Sequence, residues 1–208
     1  MGTNLIPNIL AVILFVVALF VALRAFYIYT LAPNPRLFVL GTSMGMISLT
    51  AAADFFSSNV TSITLNTDWF LYIGQAVSLL FIFLSLVGSS NEYLRRLMTI
   101  HVCVSALLLG LLLLSPALPA FPNVTARAIL SGSRFLVCFG IFFCYVIAFT
   151  TKATRFSLLM GLSFLLLAFG YLMIFQQYLV TNAQVLDNVG DIIRIFGLAT
   201  LLAAVLMG

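Results

Sequence analysis

Ionisable side chains are scarce in this chain: its 208 residues hold one glutamate, one histidine, one lysine and five acidic residues in all. Glycosidase-type chemistry needs two carboxyl groups on either side of a bond, and Glu92 stands by itself in a short connection. His101 has no Cys, Asp or Glu at ligand spacing, so it builds neither a metal centre nor a haem site. Cys103, Cys138 and Cys144 form no CxxC pair, and an odd number of thiols cannot close a full disulfide set; small, soft core packing is the reading they carry. No Ser–His–Asp arrangement, phosphate-binding loop or metalloprotease motif is present, and the expectation is a protein that is not an enzyme.

Length of polar chain is also missing. Composition is 63% hydrophobic and 7% charged, against about half and a quarter in soluble domains. Seven apolar runs, at roughly 5–31, 34–57, 69–88, 93–115, 126–149, 156–177 and 186–207, each reach the ~20 residues that a spanning helix needs. Together they predict an all-α polytopic membrane protein, a single seven-transmembrane-helix domain over 1–208 in a plasma or bacterial inner membrane. Residues 5–23 form a longer apolar run than a cleavable signal carries and no Lys or Arg precedes them, so they read as a retained first helix. Ile6 stands at the sixth position, where a myristoylation signal needs Ser or Thr. Prolines are absent from helix interiors: Pro7, Pro33, Pro35, Pro116, Pro119 and Pro122 all fall at helix ends or in loops, which predicts no kinked span.

The net charge of +4 reflects orientation rather than nucleic-acid binding. Arg24 and Arg36 flank the first connection, Arg95 and Arg96 the third, Lys152 and Arg155 the fifth. The even connections carry Asp54, Asp68 and Asp187, with Arg127 the lone basic residue. By the positive-inside rule the N-terminus faces out and the C-terminus in. Two Asn-Val-Thr triplets, at Asn59 and Asn123, then lie in outer loops. Trp69, Tyr72, Tyr93 and Tyr178 fall where an aromatic belt would place them.

Shifting the chain by 119 residues lays helices 1–3 on helices 5–7 without gaps, with Arg36 on Arg155 and Asp68 on Asp187. This pattern fits a parallel 3+1+3 repeat with helix 4 as linker. Glycines inside the helices, Gly41, Gly74, Gly170 and Gly190 among them, predict close helix approach in lipid.

Charge inside hydrocarbon costs several kcal/mol and normally faces a partner, a cavity or the bundle interior. Arg134 lies about eight residues into helix 5, or about 12 Å, and Asp191 and Arg194 about 8 and 12 Å into helix 7. Asp54, Gln75 and Tyr171 reach the same half of the bilayer. Asp191 and Arg194, three apart, share one helix face and can pair. Two readings of this layer stand: an interhelical network, or an outward-open pocket whose floor is Arg134, Asp191 and Arg194. His101, one to two turns into helix 4, is expected to be packed or to face the interface.

Seven helices with the N-terminus outside resemble the rhodopsin and receptor arrangement, but covalent retinal needs a lysine in the last helix and Lys152 lies in a loop. No cofactor is expected. The 3+1+3 layout is similar to small SWEET-type sugar transporters, which carry prolines within their helices where this chain has none. The size also resembles seven-helix input modules of bacterial sensors. These resemblances are of architecture alone. They lead to three functional expectations: a sensor or receptor-like module that binds a small or lipidic ligand and signals through a membrane partner or homo-oligomer; a small-solute transporter; and an assembly subunit of a larger membrane complex.

Overall fold

A computed structural model describes residues 5–59, 66–88, 90–119, 124–179 and 183–207. Their regular structure is all helical: α1 (Leu5–Leu31), α2 (Pro35–Asn59), α3 (Asp68–Val87), α4 (Asn91–Leu113), a 3-10 turn (Ser115–Ala117), α5 (Val124–Lys152), α6 (Arg155–Gln177) and α7 (Ala183–Met207). All seven α-helices are long and apolar enough to cross a bilayer, which is compatible with a multi-pass membrane protein.

Helix ends fall within three residues of those read from hydropathy, and the differences have local causes. Helix α4 starts early because the Ser90 hydroxyl caps it, accepting a hydrogen bond from the Tyr93 N–H at 3.2 Å. Helix α5 runs on through two threonines whose hydroxyls donate back to the Ile147 and Ala148 carbonyls, so polar residues remain helical. The α5–α6 turn then takes two residues. Ala153 adopts the left-handed conformation (φ 47°), its N–H donating to Phe149 O at 2.7 Å, and Thr154 caps α6. Proline obeys its own constraint. Pro7 sits in the first turn of α1, Pro35 opens α2 and Pro116 lies in the 3-10 turn; Pro122 lies outside the described residues.

The chain divides into two compact units. One spans Ala18–Pro122; the other joins Met1–Val17 to Asn123–Gly208.

In the first unit α2 packs on both α3 and α4, and α3 packs on α4. Val39, Phe81 and Leu97 make one apolar cluster and Met46, Phe70 and Leu108 another. Gly74 lets α3 approach α2 so closely that a Cβ there would lie 2.8 Å from Thr50 Cγ2. Polar side chains fasten both ends of this unit. At one end the Thr67 hydroxyl donates to Ser57 Oγ at 2.8 Å, the Asn66 amide to Leu118 O, and the Trp69 indole to Pro119 O at 2.9 Å. At the other, Arg36 Nη2 donates to Gly88 O at 2.8 Å.

In the second unit α6 packs against both α5 and α7. Phe164, Met160, Ile141 and Leu201 are fully buried there. Gly170 and Gly190 face each other across α6 and α7: a Cβ on either would come within 2.9 Å of the other's carbonyl oxygen. Without a hydrophobic drive between helices in lipid, this close approach supplies the packing that holds them. The outer face of α5 shows Ile129, Leu136 and Ile147, as a lipid-facing surface should.

The two kinds of helix glycine should separate on substitution. Gly170→Ala places a methyl against Arg194 Cγ as well as against the Gly190 carbonyl oxygen, and should cost about 1–3 kcal/mol. Gly110→Ala meets nothing within 4 Å and should instead gain up to about 1 kcal/mol from helix propensity. Unfolding midpoints in bicelles check both signs.

Candidate functional site

The buried stripe of α5, Ser131, Arg134, Cys138 and Ile141 at helical spacing, is polar in its first half, where its apolar composition would lead one to expect leucine. Arg134 lies ten residues beyond Val124, about 15 Å along the axis, because α5 begins two residues earlier than hydropathy predicts. By the same geometry Asp191 and Arg194 lie about 12 and 17 Å into α7, and Tyr171 about 9 Å from the end of α6. Arg134 and Arg194 therefore lie some 3–5 Å farther from their helix starts than the sequence reading put them.

Four of the expected residues come together. Arg134 Cζ lies 5.0 Å and Arg194 Cζ 4.7 Å from the centroid of the Tyr171 ring. Arg194 Nη1 donates to Asp191 Oδ1 at 3.0 Å, which realises the pairing expected from their three-residue spacing. Arg134 donates through Nε to Leu130 O at 3.3 Å and through Nη2 to Ser131 Oγ at 3.2 Å. Arg134, Asp191 and Tyr171 are each 5% exposed, so the cluster is sealed from bulk solvent. Cation–π attraction grows to about 2 kcal/mol when the pair is desolvated, and one ring here serves two guanidinium groups from different helices. Gly170 makes this possible, since the Arg194 stem lies where its side chain would be.

Asp54 and Gln75 belong to the other unit, near the end of α2 and seven residues into α3. Gln75 is buried, as expected of a polar group within a span. Among the described residues no cluster of three or more His, Cys, Asp or Glu could hold a metal. Of the cysteines, Cys138 is buried, in line with core packing, and Cys144 is half-buried, whereas Cys103 departs from that expectation and is exposed. Asn59, half of the first Asn-Val-Thr motif, donates its amide to Phe55 O at 2.8 Å; Asn123 lies outside the described residues.

A second polar group centres on His101, which the sequence led one to expect packed or at the interface. His101 is ten residues into α4, about 15 Å from its start rather than one to two turns, and is fully buried. Its ring stacks on Phe81 (centroids 4.1 Å apart, planes at 16°), and Nε2 lies 3.5 Å from Ser43 Oγ. Ser105, one turn further along α4, and Ser78, one turn before Phe81 on α3, are buried too. Most helix hydroxyls in this chain donate to a carbonyl three or four residues back, as Thr50, Ser85 and Ser133 do. Among the described residues, the Ser78 and Ser105 hydroxyls and His101 Nδ1 have no hydrogen-bond partner. The serine spacing was legible in the sequence. The burial was not, because serine is as common on a lipid-facing turn as in a seam.

Comparison with protein-family models, curated proteins and solved structures finds no match, so the cluster's chemistry rests on its own geometry. Two permanent cations, one carboxylate and a phenol ring can hold an anionic or hydrogen-bonding group. An arginine cannot shed its proton to escape burial.

The hydroxyls supply a test of how hydrogen bonding is partitioned. Ser163→Ala removes a bond of 3.0 Å to Gly197 O and should cost about 1 kcal/mol. Ser78→Ala removes a hydroxyl that has no bond to lose and should leave stability unchanged or raise it by about 1 kcal/mol. Chemical unfolding of the two variants in the same detergent measures the difference.

Proposed function

We propose that the chain is a seven-helix sensor or receptor-like membrane module that binds a small anionic or lipidic ligand at the Arg134–Tyr171–Arg194–Asp191 cluster. The observation that carries this is the pair of guanidinium groups on a single buried ring. Their cost of burial in hydrocarbon is several kcal/mol. A site that recognises a carboxylate or phosphate head recovers part of it through charge-assisted hydrogen bonds. The cluster lies nearer the α5 N-terminus and the α7 N-terminus than the end bearing Lys152 and Arg155. With the basic end inward and the N-terminus out, ligand reaches the cluster from the outer side once α5–α7 part around this closed state, and the signal leaves through a membrane partner or a second copy.

The 3+1+3 repeat belongs to the same proposal. Among helix ends with described residues on both sides, the 119-residue shift carries the α2 start at Pro35 to within one residue of the α6 start at Arg155, and the α1 end at Leu31 to within two of the α5 end at Lys152. That agreement supports a duplication of the first two helices without depending on leucine-rich sequence matches.

An assembly role is the second reading, and the Gly170–Gly190 contact favours it, because Arg194 laid across a glycine is also what a packing device would look like. Transport makes a further demand, a water path that reaches both faces in some state. Protein purified with its native lipids and examined by intact mass spectrometry separates the readings. Binding predicts a retained small molecule that is lost in Arg134→Gln and recovered in Arg134→Lys, with helicity unchanged. Loss of the fold in Arg134→Gln, with nothing retained by the unaltered chain, would leave the assembly reading. Labelling of cysteines placed along the α5 half that bears Lys152, from both sides of a vesicle, would favour transport.

A further inference from the structure

A pocket of about 220 Å³ lies in the Ala18–Pro122 unit, where α1 ends and α2 and α4 begin. Its walls are Tyr29, Pro33, Pro35 and Met98, with Asn91 and Arg95 as the polar residues. Asn91, Arg95 and Met98 fall at the four- and three-residue spacings that place side chains on one face of a helix. That face therefore changes along its length from amide, to guanidinium, to thioether.

The charges around the pocket are already assigned, except one. Arg96 is paired with Glu92 on the neighbouring face of α4. Arg36 is held by Gly88 O. The α2 N-terminus is closed by Asn34, whose side chain accepts from the Arg36 N–H at 3.0 Å and whose carbonyl accepts from Leu37 and Phe38. Among the described residues the Arg95 guanidinium forms no ion pair or hydrogen bond, and it is exposed. The first amides of α4 lie beside it and add the positive end of the helix dipole.

A cation with free donors, an amide and a helix N-terminus above apolar walls suit an anion with a greasy attachment. The pocket is also many times the ~30 Å³ that one water occupies. Its place at the ends of three membrane-compatible helices is the headgroup level of any bilayer they cross. We infer that this pocket is a binding site for a phosphate group, with Arg95 and Asn91 as its polar contacts and Tyr29 and Met98 against the attached glycerol or chain. An anionic phospholipid headgroup and free phosphate share this chemistry, and the lipid also uses the apolar walls.

The full chain in nanodiscs of equimolar phosphatidylglycerol and phosphatidylcholine provides the test, with co-purified lipid counted by mass spectrometry. The unaltered chain should retain phosphatidylglycerol preferentially. Arg95→Gln should cut that preference about fivefold, the equivalent of the ~1 kcal/mol that a basic residue contributes near an anionic surface. Lys152→Gln, which removes the same charge from an exposed position in the other unit, should leave it intact. Excess inorganic phosphate that abolishes the preference marks free phosphate as sufficient; persistence of the preference marks the lipid. Equal losses in Arg95→Gln and Lys152→Gln, or no preference in the unaltered chain, would overturn the assignment. Because Arg95 is exposed, both variants should keep their helicity, and circular dichroism checks this.

Discussion

A guanidinium group buried in hydrocarbon cannot neutralise itself, so the protein must surround it with groups that stand in for water. The α5–α6–α7 unit does this twice with one tyrosine. Tyr171 lies against Arg134 from α5 and Arg194 from α7, while Asp191 holds Arg194 from one turn away. The packing of the unit follows from this constraint. Gly170 must be a glycine for the Arg194 stem to reach the ring, and Gly190 must be one for α7 to come close enough. The buried face of α5 is polar for the same reason.

The other unit solves its polar problem by different means. Hydroxyls and amides near helix ends are bonded across connections, as Thr67 is to Ser57 and Trp69 to Pro119. Its interior keeps His101 on the face of Phe81, and the buried Ser78 and Ser105 hydroxyls on α3 and α4 have no hydrogen-bond partner among the described residues. Such groups cost about 1–3 kcal/mol each. They make α2–α4 the place where a polar guest or a rearrangement would be least costly, and they mark a centre separate from the arginine cluster.

Hydropathy revealed the helices because the bilayer imposes a length, and proline placement followed because each ring removes an N–H that a spanning helix cannot spare. The Asp191–Arg194 pair was legible too, since three-residue spacing fixes a shared face. Depth was harder. Two or three residues of extra helix at the α5 and α7 starts lengthen the distance of Arg134 and Arg194 from their helix ends by several ångströms. Which partners a buried group meets was not legible, because that depends on rotation of each helix about its axis. Tyr171 could be placed at the right level but not between two arginines. His101 could be placed on α4 but not against Phe81. The left-handed Ala153 gave no signal at all, since alanine is an ordinary helix residue and only the short turn after α5 forces it there.

The central claim is that Arg134 and Arg194 act through Tyr171 as one unit rather than as two separately solvated charges. A double-mutant cycle of Arg134→Gln and Arg194→Gln, with unfolding free energies measured in bicelles, tests it most directly. A shared ring predicts non-additive losses, with a coupling of about 0.5 kcal/mol or more. Losses that add to within about 0.3 kcal/mol would contradict it.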